Sequence, residues 1–168
     1  VINSLLSKRA QAATPKRAGK LVVGMEQATA QDSLDPTSYW GTGNILMGNC
    51  VHDWLVNRGP DLNPAPSLAT SWEPNADASS WVFNLRTDVE WHDGAKFTAE
   101  DVMYSCTRHY REGSESPAKA YMSTIASMDK LNDHQLRFNL TAPNADFPIV
   151  LSDTRVQITQ NGREDFTK

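Results

Sequence analysis

The chain has 168 residues, enough for one well-buried domain or for one domain and part of a second. Its 39% hydrophobic and 21% charged residues, with five tryptophans, exclude a disordered chain. A net charge of −4 argues against a nucleic-acid partner, which needs a basic face, and there is no apolar run of about eighteen residues to span a membrane.

Residues 1–19 read as a basic tail, and through Lys20 the segment carries five basic residues and no acidic one. Ala10-Gln11-Ala12 is the small-residue pattern that precedes signal-peptidase cleavage. Two readings stand: the end of an export signal with a mature start near Ala13, or a plain solvated tail.

The β-branched run KLVVGME at 20–26 predicts a buried strand, and the Ser, Thr, Gly, Asp and Pro content of 31–44 predicts a loop. Leu46, Met47, Cys50, Val51, Trp54 and Leu55 recur at spacings of three and four, which predicts an amphipathic helix. Three prolines make 57–66 a loop, and SLATSWEP at 67–74 reads as a short strand. Trp81, Phe83 and Leu85 alternate with Val82, Asn84 and Arg86, the pattern of a strand with one face buried. Asp93-Gly94 marks a turn. Thr98 then caps a helix, with Asp101 completing a capping box and Phe97 and Val102 a hydrophobic staple. A loop at 111–117 and a short helix at 118–126 lead to a second one-sided strand on Leu136, Phe138 and Leu140. The segment 132–134 marks a hairpin, and 143–153 holds a further short helix. Strands and helices do not alternate regularly, so the fold class is mixed α/β (α+β) with a largely antiparallel sheet.

The residues carry no catalytic signature. His52, His92, His109 and His134 are scattered, without ligand spacing for a metal or cofactor. No G-x-S-x-G elbow is present, and the Gly41-Thr42-Gly43 pair lacks the later Gly and Lys of a phosphate loop. Cys50 and Cys106 both fall on predicted apolar stripes, which favours buried thiols over a bridge between them. The sequon Asn139-Leu140-Thr141 lies inside a predicted strand and is read as chance.

Residues 68–105 resemble the signature region of the family 5 extracellular solute-binding proteins, the dipeptide-, oligopeptide- and nickel-binding receptors of bacterial ABC importers. Leu68, Ala69, Ser71 and Trp72 match its first strand, and Trp81, Phe83, Leu85 and Arg86 its second. Trp91, Asp93, Gly94, Phe97, Thr98, Ala99, Asp101 and Val102 match the turn and capped helix that follow. SLDP at 33–36, VHDWLV at 51–56, NPAPSLA at 63–69 and 134–147 extend the resemblance in unbroken order. It implies a type II periplasmic-binding-protein fold, with 20–44 as the first strand and loop of lobe I and 45–168 as its accessory subdomain. It also implies an exported, non-enzymatic receptor without a cofactor, working in the periplasm or outside the cell. Such a receptor captures a small solute, foremost a peptide, and delivers it to membrane permease subunits. The alternatives from the residues alone are a self-standing interaction domain and a hydrolase on a related scaffold. By resemblance, the loop after SLDP lies at the ligand cleft, which places Trp40, Gly41 and Thr42 there: a stacking plane, a close backbone approach and a hydroxyl. Trp40 packed under its loop is the competing reading. Ser116 and Pro117 form a second candidate stretch.

Overall fold

The computed structural model describes residues 20, 22, 24 and 32–166. The predicted tail and the body of the predicted strand at 20–26 lie outside the described residues. From Asp32 the chain makes a 3-10 turn at Pro36–Ser38, helix α1 at Thr42–Gly48, and short strands β1 (Asp53–Trp54), β2 (Val56–Arg58) and β3 (Pro64–Pro66). Strands β4 (Ala69–Pro74) and β5 (Ser80–Leu85) precede helices α2 (Ala99–Tyr110) and α3 (Lys119–Met122). Strands β6 (Ile125–Asn132) and β7 (Gln135–Leu140), helix α4 (Phe147–Val150) and strand β8 (Gln157–Ile158) follow.

The centre is a four-stranded sheet in the order β4-β5-β7-β6, antiparallel throughout. In both β5 and β7 every second residue is buried, as the sequence alternation requires. Phe83 of β5 and Phe138 of β7 meet edge-to-face with centroids 5.2 Å apart, and Phe147 of α4 stands edgewise to both, 6.3 Å and 5.2 Å away. Val102 and Cys106 of α2 join the same core. The other sheet face is polar and hydrogen-bonded across strands: Gln135 donates to Asn84, Asn84 to Ser71, and Asn139 to Ser127 and Asp129. Phe97 and Val102 are buried at the start of α2 and the capping box forms, with Thr98 N–H donating to the Asp101 carboxylate at 2.7 Å. At the preceding turn Gly94 adopts φ +86°, a region that favours glycine.

Several expectations are corrected. The helix drawn through Trp54 and Leu55 stops at Gly48, and Trp54 lies in β1, paired antiparallel with β8. Gly48 sits against Tyr39 and Gln157, so the chain must turn there, and Leu46 and Val51 are left 45% and 42% exposed. The predicted loop at 57–66 contains the β2–β3 hairpin, in which Pro64 and Pro66 occupy an outer two-stranded ribbon where missing donors are tolerated. Cys106 is buried as expected, but Cys50 is exposed beyond the helix end; both thiols are free. The predicted loop at 31–44 gives way to α1 from Thr42, and the helix predicted at 118–126 ends at Met122, with β6 beginning at Ile125.

Candidate functional site

The SLDP segment folds on its own aspartate. Asp35 Oδ1 accepts the Thr37 N–H at 3.0 Å and the Thr37 hydroxyl at 2.8 Å, while Ser38 Oγ donates to the Asp35 carbonyl at 2.8 Å. Pro36 then sets the 3-10 turn. Tyr39 turns inward, fully buried, with its hydroxyl donating to Leu34 O, and Arg155 Nε donates to the Tyr39 carbonyl at 3.2 Å. Trp40, next along the extended chain, therefore faces out and is 71% exposed. Gly41 is the N-cap of α1, and a Cβ built there would meet nothing within 4 Å. Thr42 is exposed beside it.

This loop faces the C-terminal half of α2 across a cavity of about 430 Å³, which Trp40, Asp35 and Arg108 line together with residues 111–115 and Glu164. Arg108 forms the floor. It is 4% exposed and donates from Nη1 and Nη2 to the two Asp35 oxygens at 2.9 Å and 2.6 Å. Burial raises the Asp35 carboxyl, but the hydrogen bonds from Arg108 and Thr37 outweigh it and hold the group below the usual carboxylate range. On the rim, Arg111 makes a forked contact to Glu164 at 2.8 Å and 3.1 Å, and this hydrogen bonding chiefly lowers the Glu164 carboxyl to about 2. The Tyr104 hydroxyl has the Arg163 carbonyl at 2.7 Å and Glu164 Oε1 at 2.9 Å as acceptors for its one proton, closing that corner.

The two stretches selected from sequence are thus brought near one cavity unequally. Trp40 lines it, and so do the residues just before Ser116, but Ser116 itself does not. Ser116 is buried; its Oγ lies 2.7 Å from His109 Nδ1 and accepts the Ala118 N–H at 3.2 Å, which pins the turn into α3. Pro117 is half-buried behind it. His109 is 1% exposed, and burial, with the nearby Arg108 charge, lowers its imidazole to about 4. A serine–histidine contact invites a hydrolytic reading, but both partners are enclosed and neither lines this cavity. Among the described residues no group of three or more His, Cys, Asp and Glu could hold a metal ion. A second cavity of about 430 Å³ lies around His52, Trp91 and Phe166 and includes none of the predicted site residues.

Sequence reasoning missed Asp35, Arg108, Arg111 and Glu164. Asp35 stood out only as part of a loop motif. No spacing rule pairs Asp35 with Arg108, 73 positions on.

Residues 63–168 match the bacterial extracellular solute-binding proteins, family 5 (middle), which is more than half of the chain. The chain belongs to this family. Over 128 residues it is 32% identical to the periplasmic oligopeptide-binding protein OppA of Escherichia coli K12, an alignment covering 66% of this chain and 23% of OppA. The fold superposes on the E. coli murein tripeptide binding protein MppA with a TM-score of 0.70 at 27% identity, over 77% of this chain and 28% of MppA. On NikA of Brucella suis, solved with Fe(III)-EDTA, the TM-score is 0.67 at 26% identity, over 75% of this chain and 25% of NikA. The chain therefore spans about a quarter of the length of these relatives. They are substrate-binding proteins rather than enzymes, and the α/β fold with its antiparallel sheet is that of periplasmic binding proteins.

Proposed function

We propose that this chain is part of the solute-capturing receptor of a bacterial ABC importer, exported to the periplasm or the outer cell surface, which hands a small solute, foremost a peptide, to membrane permease subunits. The reading rests on family membership, with relatives named for oligopeptides and a murein tripeptide. In it, residues 45–168 form the accessory subdomain of the first lobe and residues 20–44 belong to that lobe. No helix among the described residues is long and apolar enough to cross a membrane, which suits a receptor that meets its permease from outside.

The observation that carries the site is Trp40: a large aromatic, 71% exposed, on a loop whose preceding residues are tied down by hydrogen bonds at Thr37 and Tyr39, and which is followed by Gly41, whose carbonyl accepts the Ile45 N–H of α1. An exposed indole on a braced loop is a plane for stacking on a ligand, with Gly41 leaving room for a backbone and Thr42 offering a hydroxyl. Ser116 and Pro117 support the opposite wall from beneath. The receptor is non-enzymatic in this reading, with the Ser116–His109 contact serving structure. Calorimetry on the full-length protein, using whichever member of a di-, tri- and tetrapeptide panel binds, tests the assignment. Trp40→Ala is expected to weaken binding by about tenfold or more with the fold intact; unchanged affinity removes Trp40 from the site.

A further inference from the structure

We propose that Arg108 is the positioning residue of this cleft: its guanidinium, gripping Asp35 with both terminal nitrogens, sets the loop that presents Trp40 and locks it to the 163–166 segment. The proposal rests on the site reading above for its functional meaning, but its geometry stands apart from any ligand.

Arg108 meets both ends of the described body at once. On one side are the two hydrogen bonds to Asp35, whose Oδ1 also accepts from Thr37 and so organises the turn that aims Trp40. On the other, the guanidinium carbon lies 4.8 Å from the Phe166 ring centroid, and Nη2 is 3.8 Å from Glu164. Glu164 is itself held by Arg111 and Tyr104. Two segments about 130 positions apart in sequence thus converge on a single side chain that is 4% exposed. Arginine suits this position because its planar fork matches a carboxylate in two bonds while its face covers an aromatic ring; a lysine ammonium supplies only a point charge. Buried pairs of this kind are weak sources of net stability, because desolvation offsets the attraction. Removing one partner, however, strands a charge, and the better-attested use of such a pair is to select one arrangement over others. Here the arrangement selected is that of the Trp40 loop on α2.

Amide hydrogen exchange on the full-length protein, read peptide by peptide, tests this. Arg108→Met is expected to speed exchange across 33–42 and 160–166 by about tenfold or more while β5 and β7 keep their protection, since opening is local. Arg108→Lys is expected to restore protection only in part. Asp35→Asn, at a less buried position, is expected to loosen 33–42 by the same route, and the double variant to loosen it no further than either single change. Equal loss of protection in β5 and β7 would make Arg108 an ordinary core residue, and unchanged exchange at 33–42 in both single variants would end the proposal. If Arg108→Met does not fold, the Asp35→Asn and Arg108→Lys results decide alone. Failure of the Trp40 assignment is visible separately: Trp40→Ala would then bind peptide normally while Arg108→Met still loosened the loop.

Discussion

Gly48 shows how a single missing side chain directs the chain. A Cβ at that position would collide with Tyr39 Oη and lie 2.6 Å from Tyr39 Cε2 and 2.7 Å from Gln157 Oε1. Two opposed effects follow for Gly48→Ala. Alanine gains up to about 1 kcal/mol of helix propensity, less at a helix end. The clash wins, because Tyr39 is fully buried and anchored through its hydroxyl to Leu34 O, so it cannot swing aside. The expected net outcome is a loss of about 1–3 kcal/mol in denaturant unfolding, together with looser packing of the Tyr39–Trp40 loop. A variant as stable as the parent would mean that Tyr39 moves freely.

At the scale of elements, the sheet and α2 owe their order to different sources. β5 is fixed by burial: Trp81 is 6% exposed in the core cluster, and its indole N–H also donates to Asn144 O at 3.1 Å. Trp81→Ala is expected to cost about 3–5 kcal/mol, since it leaves a large void and an unpaired carbonyl at once. Thermal or urea unfolding measures it, and a loss under 1 kcal/mol would show that the site collapses around the gap. α2 is begun locally by its capping box and then held by the side chains it buries. Val102 and Cys106 pack in the core, while the Ser105 hydroxyl has Asp101 O at 2.7 Å and Thr159 O at 3.0 Å as acceptors for its one proton, and accepts the Thr159 N–H. Burial of Cys106 pushes its thiol up to about 12, so it is an inert core atom, unlike the exposed Cys50.

For the molecule as a whole, acid is the exposed weakness. His109 is neutral in the folded state because burial and the Arg108 charge lower its imidazole to about 4, against an ordinary value of 6.5; Asp35 and Asp153 act in the opposite direction. The unfolded chain takes up this proton as pH falls through 6.5 and the folded chain does so only near 4, so stability is lost as pH drops across that window. The loss reaches about 3 kcal/mol for His109. His52, also lowered by burial, adds to it. Below that range the depressed carboxylates of Asp35 and Glu164 must be protonated as well, which removes further stability in the same direction. Unfolding free energy measured between pH 7 and pH 4 is expected to fall steeply, and His109→Gln is expected to flatten the curve. An equally steep fall in the His109→Gln variant would assign the slope elsewhere.

What the sequence determined alone is what short-range chemistry encodes. The alternation of Trp81, Phe83 and Leu85, the Asp93-Gly94 turn and the Thr98–Asp101 cap each draw on neighbours a few positions away, so strand, turn and helix could be read off before any coordinates. The same residues carried the family, because their order is the family's pattern. What tertiary structure decided lies where distant segments compete. The three- and four-residue spacing through Trp54 and Leu55 suits a helix, but Gly48 closes on Tyr39, and Trp54 pairs instead with Gln157, more than a hundred positions on. The prolines of 57–66 suit a loop, but an outer ribbon accepts them as a hairpin. Trp40 could have been core or surface by type alone; Tyr39 takes the buried place beside it, which turns the indole outward. The pairing of Asp35 with Arg108 is invisible in one sequence, because it depends on α2 folding back beside the SLDP turn and on burial that makes the contact selective.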